Sequence, residues 1–228
     1  EALEAFYAEQ SAELAILAAP IPFHKPQTLL ALERGSHVLC EKPLCATPED
    51  AEAMFEAKER SGRVVAIGYQ ASFTESTQRL KADIMGGVWG RPKRLKCIEL
   101  RPRSRAYYRR SGWAGRIRDD QGRWVFDSPV NNAVSHELHH MFYVLGPEAA
   151  RSAVPAETEA RLYRAHDIEN YDTAILKSRL ENGAEVCFVT THNGSREEPN
   201  TNVLAYEFVF EKGVIVCDSE KHEVVGVG

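Results

Sequence analysis

Four groupings of side chains in this chain have the types and spacing to do chemistry. Glu41-Lys42-Pro43 follows the short apolar run His37–Cys40. If that run is a parallel strand, a lysine at its carboxyl end, fixed by the next proline, points into the crevice where such sheets bind ligands. An ammonium group there can stabilise developing negative charge; a solvated loop lysine explains the same residues. Asn132 and His136 lie four apart, on one helical face, so an imidazole held by a side-chain amide could face a pocket. A structural histidine fits that spacing too. His136-Glu137-Leu138-His139-His140 satisfies the His-Glu-x-x-His pattern of zinc hydrolases, with His136 and His140 as ligands and Glu137 activating water. It specifies no third ligand, and Glu157 or Glu159 could serve only if a second helix carried them back. Finally, arginines at 101, 103, 105, 109, 110, 116 and 118 interleave with Tyr107, Tyr108 and Trp113. Such a segment can grip phosphates, stack on bases or pack against sugar rings; a solvated loop or an oligomer contact is the alternative.

Composition narrows these choices. The 228 residues are 43% hydrophobic and 27% charged, with net charge −5, which excludes a disordered chain and gives no general drive toward nucleic acid. No apolar run reaches the roughly 20 residues that span a bilayer. The start, Glu-Ala-Leu-Glu-Ala-Phe, has neither the basic flank nor the apolar stretch of a signal peptide, and it has no initiator Met, so the expected N-terminus lies upstream. Cys40, Cys45, Cys97, Cys187 and Cys217 are odd in number and form no Cys-x-x-Cys pair. They read as reduced thiols of a cytoplasmic protein rather than a disulfide framework or zinc ribbon.

The elements that must position these groups follow from pattern. A helix over residues 1–11 is followed by a buried strand over 14–19, stopped by Pro20 and Pro22. A helix over 26–34 closes at Gly35, and His37–Cys40 forms a second strand. Thr47, Pro48 and Glu49-Asp50 supply an N-cap, a first-turn proline and an acidic first turn for a helix to about Arg60. Residues 64–68 form a third strand. Strict alternation of helix and strand implies crossover units and a parallel sheet. Beyond Phe73 the pattern predicts a helix over 75–85, a strand over 94–100, the arginine-rich segment, and a helix over 131–145. Strands then follow at 173–180, 185–192, 203–210 and 214–217, with turns at Asn182-Gly183 and Lys212-Gly213. The expected division is 1–72, parallel α/β, and 73–228, α+β.

Taken in order, these landmarks resemble the glucose–fructose oxidoreductase / inositol dehydrogenase family, the Gfo/Idh/MocA oxidoreductases. Leu14-Ala-Ile-Leu-Ala-Ala-Pro-Ile-Pro-Phe-His24 is similar to the family's strand and Thr-Pro-Asn-x-x-His loop. Gly35-Ser-His-Val-Leu-Cys-Glu-Lys-Pro-Leu44 matches its most specific signature, and Gly68-Tyr69-Gln70-Ala-Ser-Phe73 resembles its Gly-Tyr-Asn-x-Arg-Phe segment. Residues 132–146 align without gaps on its Asp-x-x-x-His helix and closing Leu-Gly. The similarity covers nearly the whole chain.

The resemblance implies a Rossmann domain followed by an open, mostly antiparallel sheet that builds dimers or tetramers. It implies hydride transfer between NAD or NADP and a hydroxyl-bearing carbon of a sugar, inositol or related polyol. By position it assigns catalysis to Lys42 and His136, with Asn132 in the place of the helix aspartate. It places Ala19, Pro20, His24, Glu41, Lys42 and Gln70 along the cofactor cleft. Tyr108, Trp113, Arg116, His139 and His192 are candidates for substrate contact. No metal, nucleic-acid or membrane partner is implied. Three positions depart from the family pattern: Asn132 for Asp, His139 where an Asp is common, and Gln70 with Ser72 for Asn and Arg. The family's Gly-x-Gly-x-x-Gly strand–turn–helix is expected ahead of residue 1, and residues 223–228 are expected to stop among sheet strands. A nucleotide-binding sensor without turnover and a zinc hydrolase are the competing readings.

Overall fold

The computed structural model describes residues 2–194 and 202–217, and the backbone of 222–226. It divides into two compact units, residues 1–69 with 116–126, and residues 70–115 with 127–228.

The first unit is built from α1 (Ala2–Glu9), β1 (Leu14–Leu17), α2 (His24–Glu33), β2 (His37–Cys40), α3 (Pro48–Ser61) and β3 (Val65–Ile67). The strands pair in parallel in the order β1-β2-β3, with Leu17 opposite Cys40 and Cys40 opposite Ile67. The start of α3 follows the capping chemistry of its sequence, since the Thr47 hydroxyl accepts the Asp50 N–H at 3.2 Å. Gly35 takes φ +83° just beyond α2, a left-handed conformation that side chains rarely adopt. Tyr7, Leu17, Leu32, Val38, Cys40 and Ala57 form the core between the helices and one face of the sheet. The run from Leu14 is therefore not buried on both faces as its continuous apolarity suggests. Ala15 and Leu17 point into the core, while Leu14 and Ile16 are 52% and 69% exposed.

Residues 116–126, which the pattern placed with the sheet that follows, are grouped with this first unit. They form a tight excursion in which Val125 and Phe126 donate to Ile117 O. The Arg123 guanidinium, paired with Asp119, stacks over the Phe23 ring at 4.3 Å.

The second unit holds α4 (Glu75–Met85), β4 (Pro92–Leu100), a short α5 (Arg105–Tyr108), α6 (Ser135–Val144), β5 (Pro155–Tyr163), β6 (Thr173–Leu180), β7 (Glu185–Thr191), β8 (Val203–Phe210), β9 (Gly213–Cys217) and β10 (His222–Gly226). Its sheet runs β10-β9-β8-β4-β7-β6-β5, antiparallel throughout except for the parallel pair β4–β7. Residues 227–228 lie outside the described residues. Leu95, Cys97, Phe188, Phe208 and Phe210 from the sheet pack with Met141 and Val144 of α6. One strand has no sequence signal. Every residue of β5 is exposed, so no apolar alternation marks it. Glu157 and Glu159 consequently lie on this edge strand, not on a helix returning toward His136.

The helix expected over 131–145 is split. Residues Pro129–Ala133 form a π-turn, in which Val134 N–H reaches Pro129 O at 2.9 Å, and α6 begins at Ser135. Ser128 sets the entry, its hydroxyl accepting the Asn131 N–H at 3.1 Å. Single π-turns of this kind recur at functional sites.

Candidate active site

In the first unit the candidate groups gather where the strands β1 and β2 end. The Ala19-Pro20 loop follows β1 and the Glu41-Lys42-Pro43 loop follows β2, so both lie at the carboxyl edge of the parallel sheet. His24 ties them together. Its ring is 1% exposed, with Nδ1 2.7 Å from Pro43 O and Nε2 2.8 Å from Ala19 O. Both nitrogens are taken by main-chain carbonyls, so the expectation that His24 contacts the cofactor directly is corrected. It holds the two loops together. The Lys42 backbone N–H donates to Glu41 Oε2 at 3.1 Å, which bends the Glu41 side chain back along the loop. Two short loops, one led by Pro20 and one carrying the half-buried Lys42, are thus fixed at the edge of the sheet where parallel α/β units take ligands, a position that fits a nucleotide.

The second unit carries the remaining candidates. Asn132 lies in the π-turn and His136 in the first turn of α6. Asn132 Nδ2 donates to Asp127 Oδ1 at 2.7 Å. His139 instead faces α4's approach, its Nδ1 3.0 Å from Ser72 Oγ, and burial pushes its imidazole down to about 4. His140 packs against the Tyr206 and Phe208 rings at 5.8 and 6.2 Å, and burial lowers it to about 4 as well. Among the described residues no three His, Cys, Asp or Glu side chains converge as a metal would need. With His140 packed among aromatic rings and Glu157 and Glu159 on an edge strand, the zinc-hydrolase reading is set aside.

Tyr108 and His192 are brought together, the phenol oxygen 3.0 Å from Nδ1. The imidazole of His192 is buried and driven down to about 3, first by desolvation and then by the Arg103 charge, so it is neutral. Tyr108 also lies 5.1 Å from the His166 ring, whose Nδ1 bonds the buried Asp172 carboxylate at 2.8 Å. Trp113 is stacked by Arg110, 5.0 Å from its ring centre, which also covers Tyr107 at 3.8 Å. Arg116 belongs to the first unit, paired with Asp120 at 2.5 Å and half exposed. Gln70 is exposed in the short turn Gln70–Phe73. The arginine-rich segment is therefore largely self-stacked, which uses up much of its apparent binding capacity.

Sequence reasoning missed three carboxylates: Asp127, Asp172 and Glu99. Glu99 could have been found, because it continues the inward series Leu95, Cys97 along β4. It is 2% exposed and paired with Arg101, whose Nη1 also reaches Ala133 O at 3.2 Å. Burial, reinforced by the neighbouring Glu137 carboxyl, holds Glu99 up to about 8. Its folded value lies above the unfolded one, so the folded state binds the extra proton between about pH 4 and 8. The stability it confers is complete below that window and is lost as pH rises through it. Chemical-denaturation midpoints at pH 5 and 8.5 are expected to show this decline, and Glu99→Gln to flatten it by remaining neutral at both.

A three-stranded parallel α/β unit with its loops fixed at the carboxyl edge, followed by a mixed, mostly antiparallel sheet, defines a Rossmann-type NAD-binding domain joined to an open-sheet domain. Residues 1–69 match the family described as "Oxidoreductase family, NAD-binding Rossmann fold". The chain belongs to this Gfo/Idh/MocA family of oxidoreductases. It is 32% identical to inositol 2-dehydrogenase 1 of Mycolicibacterium vanbaalenii over 92% of this chain and 54% of that protein. It is 33% identical to D-glucoside 3-dehydrogenase of Escherichia coli over 59% of this chain and 36% of that one. The fold is shared with the WlbA dehydrogenase of Bordetella pertussis, solved with NADH and UDP-GlcNAcA, at TM-score 0.84 and 22% identity, covering 99% of this chain and 62% of that one. Levoglucosan dehydrogenase with NADH and L-sorbose matches at TM-score 0.77 and 19% identity, over 99% and 63%. The chain thus spans at most 54% of either curated relative.

Proposed function

We propose that the protein is an NAD- or NADP-dependent dehydrogenase that oxidises a secondary hydroxyl of a sugar, inositol or related polyol. The observation that carries this is the Lys42 loop at the carboxyl end of β2, clamped by His24, in the unit that matches the NAD-binding family. Ala19, Pro20 and Glu41 would line the cofactor with Lys42, and Gln70 would follow on the chain beyond β3. When bound, the nicotinamide supplies the hydride acceptor. The residues then have two tasks. Lys42 stabilises the alkoxide that develops as the hydroxyl proton leaves, and His136 takes that proton. Asn132 orients His136, and the Tyr108–His192 pair supplies hydrogen-bonding groups for substrate hydroxyls.

The partner reading includes self-association. Val154, Leu162, Tyr163 and Ile175 lie along β5, its approach and β6 and are 80%, 49%, 53% and 41% exposed, which supports a homodimer or homotetramer through this sheet. No helix among the described residues is long and apolar enough to cross a membrane. Cys40 and Cys97 are buried free thiols held up by desolvation, in keeping with a reducing, cytoplasmic setting. The test is a panel of sugars and inositols with NAD and NADP, followed by nicotinamide absorbance. Turnover of a polyol is the expected result; the absence of binding to all four nucleotide forms in calorimetry overturns it.

A further inference from the structure

The chain leaves the second unit after Gly115 and rejoins it at Asp127; residues 116–126 between them belong to the first unit. This excursion is closed by its own side chains. Arg118 and Trp124 pair as an antiparallel bridge, and the Arg118 guanidinium lies 3.3 Å over the Trp124 ring centre. Trp124 in turn stacks on Phe126 at 4.9 Å. Asp119 organises the tip. Its Oδ1 accepts the backbone N–H groups of Gln121 and Arg123, both at 2.9 Å, and its Oδ2 meets Arg123 Nε and Nη2 at 2.7 Å. A carboxylate that grips two nitrogens of one guanidinium fixes the direction of its plane. That plane covers the Phe23 ring, 4.3 Å from its centre. Phe23 ends the short turn Ile21–Phe23, its N–H donating to Pro20 O at 2.9 Å. It directly precedes His24, which bonds Ala19 O and Pro43 O.

We propose that Arg123 is a positioning residue for the nucleotide site: held by Asp119, it pins the Phe23 ring and so fixes the turn on which the Ala19-Pro20 loop ends. This rests on the reading of that loop as a wall of the cofactor site. A loop that is ordered before binding loses less conformational freedom when the ligand arrives, which raises affinity without adding a contact to the ligand. The guanidinium suits this task, since its planar fork bonds a carboxylate at the edge while its face covers an aromatic ring. His24 holds the same loop through main-chain carbonyls, and Arg123 holds the neighbouring residue through its side chain. Nothing in the sequence links Arg123 to Phe23, because the two are far apart in the chain and Arg123 lies beyond the arginine–aromatic run of residues 101–118.

Calorimetry with NAD and NADP tests this, using whichever nucleotide the wild-type protein binds. Arg123→Ala is expected to weaken that nucleotide roughly threefold to thirtyfold, the span of a cation–π contact, while kcat at saturating nucleotide stays near wild type. Phe23→Leu, which keeps an apolar side chain but removes the ring, is expected to weaken it similarly. If Arg123 acts through Phe23, the double variant R123A/F23L binds no more weakly than the weaker single one, because both exchanges remove one contact. An exchange that merely loosened the excursion would add its own loss to that of F23L. Wild-type affinity in R123A, or losses that multiply in the double variant, overturns the role. Should R123A fail to fold, Asp119→Asn decides it. Either orientation of the new amide sets its NH2 against donors, the guanidinium in one and the two backbone N–H groups in the other, so the aim of Arg123 is lost. Nucleotide binding at least about threefold weaker is expected in D119N, and wild-type affinity there overturns the proposal. A wild type that binds neither nucleotide defeats the nucleotide reading and this role together, whereas one that binds and is indifferent to R123A defeats the role alone.

Discussion

On the proposed mechanism, His136→Ala is expected to lower kcat for polyol oxidation by about 10²–10⁴-fold, the range general-base catalysis contributes, while nucleotide affinity stays near wild type. The separation follows from where the residues lie. His136 is in the first turn of α6, which is anchored by Met141, Val144 and the Lys81 contact at its other end, so truncating the imidazole leaves the helix in place. The loops proposed to take the nucleotide belong to the other unit and are fixed by His24. Lys42→Ala is expected to cost a comparable amount through lost alkoxide stabilisation. The proposed mechanism has both residues act in the same chemical step, and such effects are strongly non-additive, so the double variant is expected to be little slower than the worse single one. Steady-state kinetics with the best polyol checks both statements. Multiplicative losses in the double variant would show that the two residues act on separate steps, and wild-type kcat in H136A would remove the histidine from the mechanism.

Much of this site was legible in the chain because its parts are local. Thr47 with Pro48, and the positive-φ Gly35, announce their helix ends through side-chain and backbone chemistry confined to a few residues. The strand pattern placed Glu41-Lys42-Pro43 at a sheet's carboxyl edge, but only the family resemblance marked it as a site rather than a solvated loop. The features that were not legible all depend on distant partners or on backbone irregularity. His24 sits where a cofactor contact was expected, but its two bonds run to carbonyls five and nineteen residues away. β5 is exposed on both faces and so lacks the alternation by which half-buried strands are recognised. The π-turn at Pro129–Ala133 interrupts an apolar pattern that reads as one continuous helix, and the Asp127 bond depends on that interruption. Trp113 and Arg110 look like a ligand platform until the structure shows that they stack on each other.

Gly146→Ala tests the support of α6 from the end opposite His136, and it is expected to be the most destabilising single exchange in the second unit. A Cβ built on Gly146 would lie 1.7 Å from the Arg151 carbonyl oxygen and 2.7 Å from its carbon, with Lys81 Nζ at 2.8 Å. The first two atoms are backbone and cannot swing aside. The close approach exists because Lys81, only 2% exposed, gathers both neighbouring carbonyls, donating to Tyr143 O at 2.5 Å and Arg151 O at 2.6 Å, and lies 4.0 Å from the Tyr143 ring centre. Burial lowers the lysine's affinity for its proton, and the Tyr143 carbonyl at the negative end of α6, with the Arg151 carbonyl beyond the helix, keeps an ammonium tolerable there. Inserting a methyl group forces the Arg151 strand of chain outward and breaks one of those bonds, leaving a buried cation half satisfied. Steric overlap and lost charge solvation together are expected to exceed about 4 kcal/mol, a large part of the ~5–15 kcal/mol that holds a typical domain together. Gly87→Ala is the control. That residue, unlike Gly146, has a positive φ, +72°, but nothing lies within 4 Å of its added Cβ, so only the backbone cost of about 1 kcal/mol applies. Urea denaturation of the two variants measures the difference. Equal midpoints would mean that the 146–151 turn relaxes freely, and that Lys81 does not fix the end of the helix that carries His136.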